Sequence, residues 1–222
     1  MNVVIIDYGM SNLSSISRAL EICGASVKIS SNPNDVKTAE KIVLPGVGSF
    51  FDGMKNLHTL GLVESLREEV LINKTPLLGI CLGMQLLALN GTEGGDCYGL
   101  GFIKGQVVKM EPKGEKERIP HIGWNDINIL RPNILFKDIK NNSDFYFVHS
   151  YHFVPENIKN TIATVDYCGK TVAAINNDNI YGVQFHPEKS MPLGFKILEN
   201  FLKFSGKEIV KNSYNTNAFM ET

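Results

Sequence analysis

The hydrophobic positions in the first half of the chain alternate between short apolar runs and longer stretches with helical spacing. Four short runs typical of strands lie at residues 3–6, 27–29, 42–44 and 77–80. Residues 11–23 and 54–72 have helical periodicity, and Gly61 is expected to break or bend the second of these helices. A further helix is predicted at residues 83–89, directly after the fourth strand. Strands that alternate with helices predict a mostly parallel sheet covered on both faces.

The pattern changes after Gly91, where glycines separate short apolar runs and few helical stretches remain. Strand-like runs lie at residues 106–110, 145–148, 161–165, 171–175 and 181–185. This half is richer in antiparallel signals, and a closing helix is predicted at 193–204. The predicted fold is therefore α/β, with an open mixed, mostly parallel central sheet flanked by helices, a flavodoxin-like core and extra antiparallel strands.

The length and composition favour one globular domain. A chain of 222 residues with 43% hydrophobic residues can bury a sizeable core. We predict a single domain at residues 1–206. Residues 207–222 are polar with little apolar pattern, which predicts a flexible C-terminal tail.

The charge balance argues against nucleic acid or a membrane as a partner, and the cysteines indicate a reducing compartment. Lys and Arg total 22 against 23 Asp and Glu, so no excess charge attracts nucleic acid or an anionic membrane. The apolar run near the N-terminus is too short for a signal peptide or a membrane span. Four widely spaced cysteines without a C-x-x-C pair favour free thiols in a reducing cytoplasm. His149 and His152 lack a carboxylate or thiol to complete a set, so no metal is expected, and nothing indicates a cofactor.

Residues 79–83, Gly-Ile-Cys-Leu-Gly, form the strongest local signal. A G-x-C-x-G motif between a strand and a helix predicts a sharp turn that needs small flanking residues and that exposes Cys81. The positive end of the following helix favours the thiolate, and its first amides, Leu82 in particular, can donate to an oxyanion. A free cysteine is often only a small buried hydrophobic residue, so the motif needs a partner base.

His186-Pro187-Glu188 follows the last predicted strand and supplies a candidate base. In an extended chain His186 and Glu188 project to the same side, where the carboxylate can orient the imidazole. Pro187 restricts the backbone between them. The alternative for an isolated H-P-E sequence is a turn with a solvated glutamate; beside a nucleophilic cysteine, a Cys-His-Glu triad is the better interpretation.

These motifs together resemble the class I, triad-type glutamine amidotransferases. The resemblance extends over nearly the whole chain, and residues 45–48, Pro-Gly-Val-Gly, match the oxyanion strand of that family. It implies a glutaminase with Cys81 as the nucleophile and His186 and Glu188 completing the triad. The implied oxyanion donors are the amides of Val47 and Leu82, after reorientation of the Gly46–Val47 peptide. The implied L-glutamine-binding residues are Gly46, Gly48, Gln85, Glu93, His149, Ser150 and Tyr151.

Residues 120–125, residues 145–151 and the Lys189-Ser190 pair are similar to one branch of the family, which works in histidine biosynthesis. In that branch the subunit passes ammonia to a separate (β/α)₈-barrel cyclase. The resemblance therefore implies a heterodimer, with Asn12, Trp124 and Lys189 at the partner interface.

Two departures keep other partners open. Ser11 stands where the family has glycine, and the tail is longer than is typical. One alternative is a glutaminase that serves a sugar-amidating synthetase of surface polysaccharide biosynthesis. Others are a non-catalytic binding protein on the same fold and a stand-alone cysteine hydrolase, which the triad and the oxyanion strand disfavour respectively.

Overall fold

The computed structural model describes residues 1–114 and 117–204, which contain a large central sheet, a smaller sheet and flanking helices. The strands are β1 (Asn2–Ile6), β2 (Ser26–Ser30), β3 (Lys41–Gly46), β4 (Leu77–Cys81), β5 (Asn90–Gly91), β6 (Cys97–Tyr98), β7 (Gly105–Lys109), β8 (His121–Ile129), β9 (Ser143–His149), β10 (Tyr151–Pro155), β11 (Thr161–Asp166), β12 (Lys170–Asn177) and β13 (Ile180–Val183). The α-helices are α1 (Leu13–Ile22), α2 (Pro33–Val36), α3 (Phe50–Thr59), α4 (Leu62–Arg67), α5 (Leu82–Gln85) and α6 (Leu193–Lys203). A π-helical turn, Glu68–Ile72, extends α4, and 3₁₀ turns lie at Ile134–Phe136, Ile158–Asn160 and Pro187–Lys189.

The central sheet has nine strands in the order β2-β1-β3-β4-β13-β12-β11-β8-β9. The first five strands are parallel to one another, and each later strand pairs antiparallel with its neighbour. This agrees with the predicted parallel first half and antiparallel additions except at β13, which belongs to the second half and pairs parallel with β4. The register pairs Gly46 at the end of β3 with Cys81 at the end of β4, so both residues meet at the carboxyl edge of the parallel strands.

Two clusters of buried hydrophobic residues lie on opposite faces of the central sheet. Alternate residues of β1 belong to different clusters, Val3 and Ile5 to one and Val4 and Ile6 to the other, as the two-residue repeat of a strand requires. Helices α1 and α6 bury their apolar sides in the first cluster, and α3 and α4 bury theirs in the second. Strands β1, β3, β4 and β13 are therefore covered on both faces, which explains their continuous apolar runs, whereas β2 at the edge of the sheet is largely exposed.

The smaller sheet, in the order β10-β7-β5-β6, lies beside α5 and β12. Strand β10 follows β9 after the single residue Ser150, so the chain passes from one sheet to the other at residues 149–151. This crossover brings Tyr151 next to the helix that follows Cys81.

All the predicted helices are present, although their ends differ from the predicted ones. Gly61 adopts a left-handed conformation, with φ of +66°, and separates α3 from α4, where the sequence predicted a break or bend. Helix α5 ends at Gln85, although apolar residues continue to Leu89. The carbonyl oxygens of residues 86–88 accept hydrogen bonds from the amides of residues 100–103, so the returning chain satisfies groups that a longer helix would have used.

No helix among the described residues is long and apolar enough to cross a membrane. The predicted flexible tail, residues 207–222, lies outside the described residues, and the assignment of residues 1–206 to one domain stays a prediction.

Candidate active site

Cys81 occupies a strained turn between β4 and α5. Its backbone has φ of +53° and ψ of −110°, a region that side chains other than glycine rarely enter. The flanking glycines make the turn possible: a Cβ at Gly79 would lie 2.7 Å from the carbonyl oxygen of Gly83, and one at Gly83 would overlap the carbonyl oxygen of Leu44. The small residues of the motif are therefore required by close backbone packing, as the sequence predicted.

His186 and Glu188 form a buried pair, with 2.7 Å between imidazole Nδ1 and carboxylate Oε1. The side chains are 3% and 8% exposed. Residues 187–189 form a 3₁₀ turn rather than the extended chain expected from sequence, and the two side chains still meet. Ser190 supports the turn, because its hydroxyl donates to the carbonyl of His186 and accepts from the amide of Tyr146 on β9.

The environment of His186 favours the protonated imidazole. Burial lowers the pKa of His186, but the interactions with Cys81 and Glu188 outweigh this effect and raise the pKa to about 10. An imidazole beside a thiol, with its other nitrogen held by a carboxylate, is the arrangement that nucleophilic cysteine catalysis requires.

A cavity of about 390 Å³ opens next to Cys81, within the range of roughly 300–1,000 Å³ that is usual for small-molecule sites. Nine of its lining residues were singled out from the sequence: Val47, Gly48, Cys81, Leu82, Gln85, Glu93, His149, Ser150 and Tyr151. Three more, Ser49, Pro120 and Val148, were not. Pro120 and Val148 lie within the segments 120–125 and 145–151 that carried the family resemblance, and Ser49 directly follows Gly48, but none of the three was assigned to the site.

Burial raises the pKa of Glu93, and a hydrogen bond with the backbone of Phe50 partly opposes the shift. Its carboxylate is thus a partly desolvated acceptor at the cavity, suited to a cationic group of a ligand.

A second, much smaller pocket of about 20 Å³ lies on the other side of the oxyanion strand. Gly46, His186 and Glu188 line this pocket and not the larger cavity, together with the predicted interface residues Asn12 and Lys189. Val47 borders both spaces, so the Gly46–Val47 peptide stands between them.

The amide of Val47 donates a hydrogen bond to the carbonyl of Met10, with 2.6 Å between nitrogen and oxygen. In this conformation it cannot also donate to an oxyanion at Cys81. A role for Val47 in the oxyanion hole therefore requires the peptide to reorient, as the family resemblance implied.

A hydrogen-bonded pair of amide side chains connects the cavity wall to the thiol. Gln85 Nε2 donates to the Tyr151 carbonyl at 2.8 Å and to Gln184 Oε1 at 3.0 Å. Gln184 Nε2 lies 3.7 Å from Cys81 Sγ. Sequence reasoning assigned Gln85 to the site but gave no role to Gln184, although it stands two residues before His186.

The predicted partner residues lie on the side of the smaller pocket. Asn12 and Lys189 line that pocket, and Lys189 Nζ lies 5.6 Å above the ring of Tyr146. Trp124 contacts the same tyrosine edge-on and is 56% exposed. Ile122, two residues earlier on β8, is also exposed, so the strand presents an apolar patch next to Lys189.

Residues 4–204 match the family "Glutamine amidotransferase class-I". The chain belongs to this family, and the fold and family predicted from the sequence are confirmed.

The particular relatives lie within one branch of the family. The chain is 50% identical over 201 residues to "Imidazole glycerol phosphate synthase subunit HisH 1" of Campylobacter jejuni subsp. jejuni serotype O:23/36 (strain 81-176), covering 90% of this chain and 99% of the relative. It is 45% identical over 206 residues to "Imidazole glycerol phosphate synthase subunit HisH" of Pelagibacter ubique (strain HTCC1062), covering 91% of this chain and 99% of that protein. The resemblance to the histidine-pathway branch is thereby confirmed.

Solved structures share the fold at much lower identity. A glutamine amidotransferase from Thermotoga maritima superimposes with a TM-score of 0.63 at 17% identity, covering 97% of this chain and 90% of that one.

Proposed function

We propose that this protein is the glutaminase subunit of an imidazole glycerol phosphate synthase, which hydrolyses L-glutamine at Cys81 and delivers ammonia to a synthase partner. The observation that carries the proposal is the strained cysteine turn, with its thiol at a cavity and interacting with His186, which Glu188 holds, in a chain half identical to relatives of that name.

In the proposed mechanism the Cys81 thiolate attacks the side-chain carbonyl carbon of glutamine. His186 gives its proton to the departing nitrogen, which leaves as ammonia, and a thioester remains on the sulfur. The neutral imidazole then takes a proton from water, whose oxygen attacks the thioester and releases glutamate. Glu188 holds Nδ1–H of His186 and stabilises the imidazolium, so Nε2 can face the thiol and the leaving group.

The cavity offers partners for each charged end of the amino acid. The carboxylate of Glu93 and backbone carbonyls at residues 149–151 suit the α-ammonium group, and backbone amides near Gly48 suit the α-carboxylate. Gln85 lines the same cavity and keeps the Tyr151 carbonyl in place.

The oxyanion peptide supplies a reason for low activity without a partner. With the Val47 amide bonded to Met10, the tetrahedral intermediate has the Leu82 amide but lacks a second donor. Removing one oxyanion donor typically costs about 10²–10³ in rate, so reorienting this peptide is a sufficient switch.

The partner is proposed to be a (β/α)₈-barrel cyclase that forms a heterodimer with this protein in the cytoplasm. The supporting features are the exposed patch of Ile122 and Trp124 and the neighbouring Lys189. The small pocket lined by Asn12, Lys189 and His186 lies on the same side as these residues, and it is the proposed start of the ammonia route.

The test is a glutaminase assay with the purified chain alone, with its cyclase and with the cyclase plus that enzyme's nucleotide ligand. We expect slow hydrolysis alone and stimulation by two orders of magnitude or more with both additions, as regaining an oxyanion donor allows. Cys81→Ala should abolish ammonia release and leave cyclase binding intact.

If the cyclase neither binds nor stimulates and a sugar-amidating synthetase does, the glutaminase mechanism stands but the partner is that synthetase. Equal ammonia release by wild type and Cys81→Ala would remove the catalytic proposal altogether.

A further inference from the structure

Two buried histidines stand side by side behind the cavity wall. His121 on β8 and His149 on β9 are paired in the sheet register, and 3.1 Å separates His121 Nδ1 from His149 Nε2. They are 2% and 6% exposed. Only His149 lines the cavity, so the role of His121 is not explained by contact with a ligand.

The direction of each hydrogen bond follows from a backbone carbonyl at one end. His149 Nδ1 lies 2.9 Å from the Tyr151 carbonyl oxygen, which only accepts, so Nδ1 carries the proton. Nε2 of a neutral His149 is then an acceptor, and His121 must donate to it from Nδ1. His121 Nε2 is left as an acceptor, and it faces the amide nitrogen of Asn125 at 3.4 Å. Burial lowers the pKa of His121 to about 4 and that of His149 to about 3, which keeps both rings neutral near pH 7.

The chain of hydrogen bonds does not stop at Tyr151. Its carbonyl also accepts from Gln85, which donates to Gln184, which in turn contacts the thiol of Cys81. A continuous polar path therefore runs from strand β8 to the nucleophile. A buried polar network of this kind fixes positions well only while every member keeps its partner.

Stacking holds the His121 ring in place. The ring lies between Phe147, at 4.8 Å between centroids, and Tyr167, at 3.8 Å. The Tyr167 hydroxyl donates to the carbonyl of Arg118 at 2.6 Å, which anchors the segment leading to Pro120 at the cavity margin. His121 thus joins the two parts of the wall, residues 118–120 and 148–151.

We propose that His121 is a positioning residue for glutamine binding, which acts through His149 to fix the Tyr151 carbonyl and the cavity wall around it. The inference rests on the proposed glutaminase function. The necessary feature of His121 is the hydrogen-bond donor at Nδ1, and the stacked aromatic ring is not itself required.

Two substitutions separate the donor from the ring. His121→Phe keeps the stacking between Phe147 and Tyr167 but leaves His149 Nε2 without a donor. His121→Asn loses the stacking ring but places an amide nitrogen close to the position of Nδ1, so it can still donate. A purely structural role predicts that Asn is the worse variant, and a positioning role predicts that Phe is worse.

The measurements are kcat and KM for glutamine in the complex with the cyclase, and glutamine affinity by calorimetry in the Cys81→Ala background. His121→Phe should raise KM and Kd roughly tenfold, the range that an unsatisfied buried acceptor produces, with a smaller change in kcat. His121→Asn should stay within about threefold of wild type, because the donor remains. Wild-type KM for the Phe variant, or an Asn variant as impaired as Phe, would overturn the inference.

Nitrogen-15 NMR of the histidines in Cys81→Ala tests the same inference with His121 intact, so it remains informative if a His121 variant does not fold. Both rings should be neutral with the proton on Nδ1, and saturating glutamine should shift their resonances. The other tautomer at His121, or no response to glutamine that calorimetry shows to be bound, would contradict the inference. Absence of any glutamine binding or hydrolysis in the otherwise unaltered proteins would instead remove the glutaminase proposal, so the two failures are distinguishable.

Discussion

The amide of Val47 donates to the carbonyl oxygen of Met10, 2.6 Å away, although its neighbour Gly46 is paired in register with Cys81, the proposed nucleophile. One peptide of the oxyanion strand is thus held away from the site by a residue of the loop between β1 and α1. The loop also includes Asn12, a predicted interface residue that lines the small pocket beside the same peptide. A partner that moves this loop can therefore act directly on the oxyanion hole.

This arrangement predicts a change in hydrogen exchange at the Val47 amide. Exchange should be slow in the free protein, because the amide is hydrogen-bonded, and faster by about tenfold or more when the cyclase and its ligand release it. NMR on the nitrogen-15-labelled chain measures the rate, with the buried core amide of Val43 as the control that should not change. Unaltered exchange at Val47 in a fully stimulated complex would contradict the switch.

In Glu188→Gln, glutaminase activity should be lost at a lower alkaline pH than in the wild type. Catalysis needs the protonated imidazole, which is present below the pKa of His186 and is lost as the pH rises through it. That pKa is raised to about 10, against the effect of burial, by Cys81 and Glu188. Without the carboxylate charge it should fall, so the alkaline limb of kcat/KM should move to lower pH. An unchanged limb would show that Glu188 does not set this ionisation.

Gly83→Ala should destabilise the protein strongly. Its added methyl group would overlap the carbonyl oxygen of Leu44, and backbone cannot yield as a flexible side chain does. We expect a loss of about 3 kcal/mol or more in the free energy of unfolding, at the upper end of overpacking effects, measured by denaturant titration. Gly114→Ala is the matched control, since a methyl group there meets no atom of the described residues within 4 Å, and it should leave stability nearly unchanged.

Tyr8→Phe should preserve or increase stability. The Tyr8 hydroxyl is buried and has no hydrogen-bond partner among the described residues. Burial and the charge of Cys81 both raise its pKa, so it stays neutral. Removing an unsatisfied group should change the free energy of unfolding by between zero and about 1 kcal/mol in the stabilising direction. Tyr167→Phe, whose hydroxyl is bonded to Arg118, should instead lose about 1 kcal/mol, and equal losses in both variants would contradict the assignment.

The paired histidines predict acid sensitivity. Burial depresses the pKa of His121 to about 4 and that of His149 to about 3, below the value near 6.5 expected in the unfolded chain. Their contribution to stability is therefore fully present above about pH 6.5 and is lost as the pH falls toward these values. The wild type should lose more unfolding free energy between pH 6.5 and 4 than His121→Asn, which has one fewer titrating group, and parallel curves would contradict the shifted pKa.

Much of the site could be predicted because its main signals are local in sequence. The turn at Cys81 needs Gly79 and Gly83 within two positions, and His186 and Glu188 are two residues apart. The local sequence therefore fixes most of the geometry of both motifs. Gln184 and His121 were given no role in the site for the opposite reason. Gln184 contacts the thiol of a residue 103 positions away, and His121 meets His149 across a strand pairing 28 positions apart.

The amino-acid sequence by itself determined the alternation of strands and helices and the tight turn at Cys81, and it singled out the proposed triad, since each depends on periodicity or on residues a few positions apart. Only the tertiary structure decided which way the Val47 amide points, which two spaces the oxyanion strand divides and which histidine supports the cavity wall. These depend on strand register and on competition between distant hydrogen-bond acceptors, and a backbone amide has the same chemistry whichever acceptor the fold brings to it.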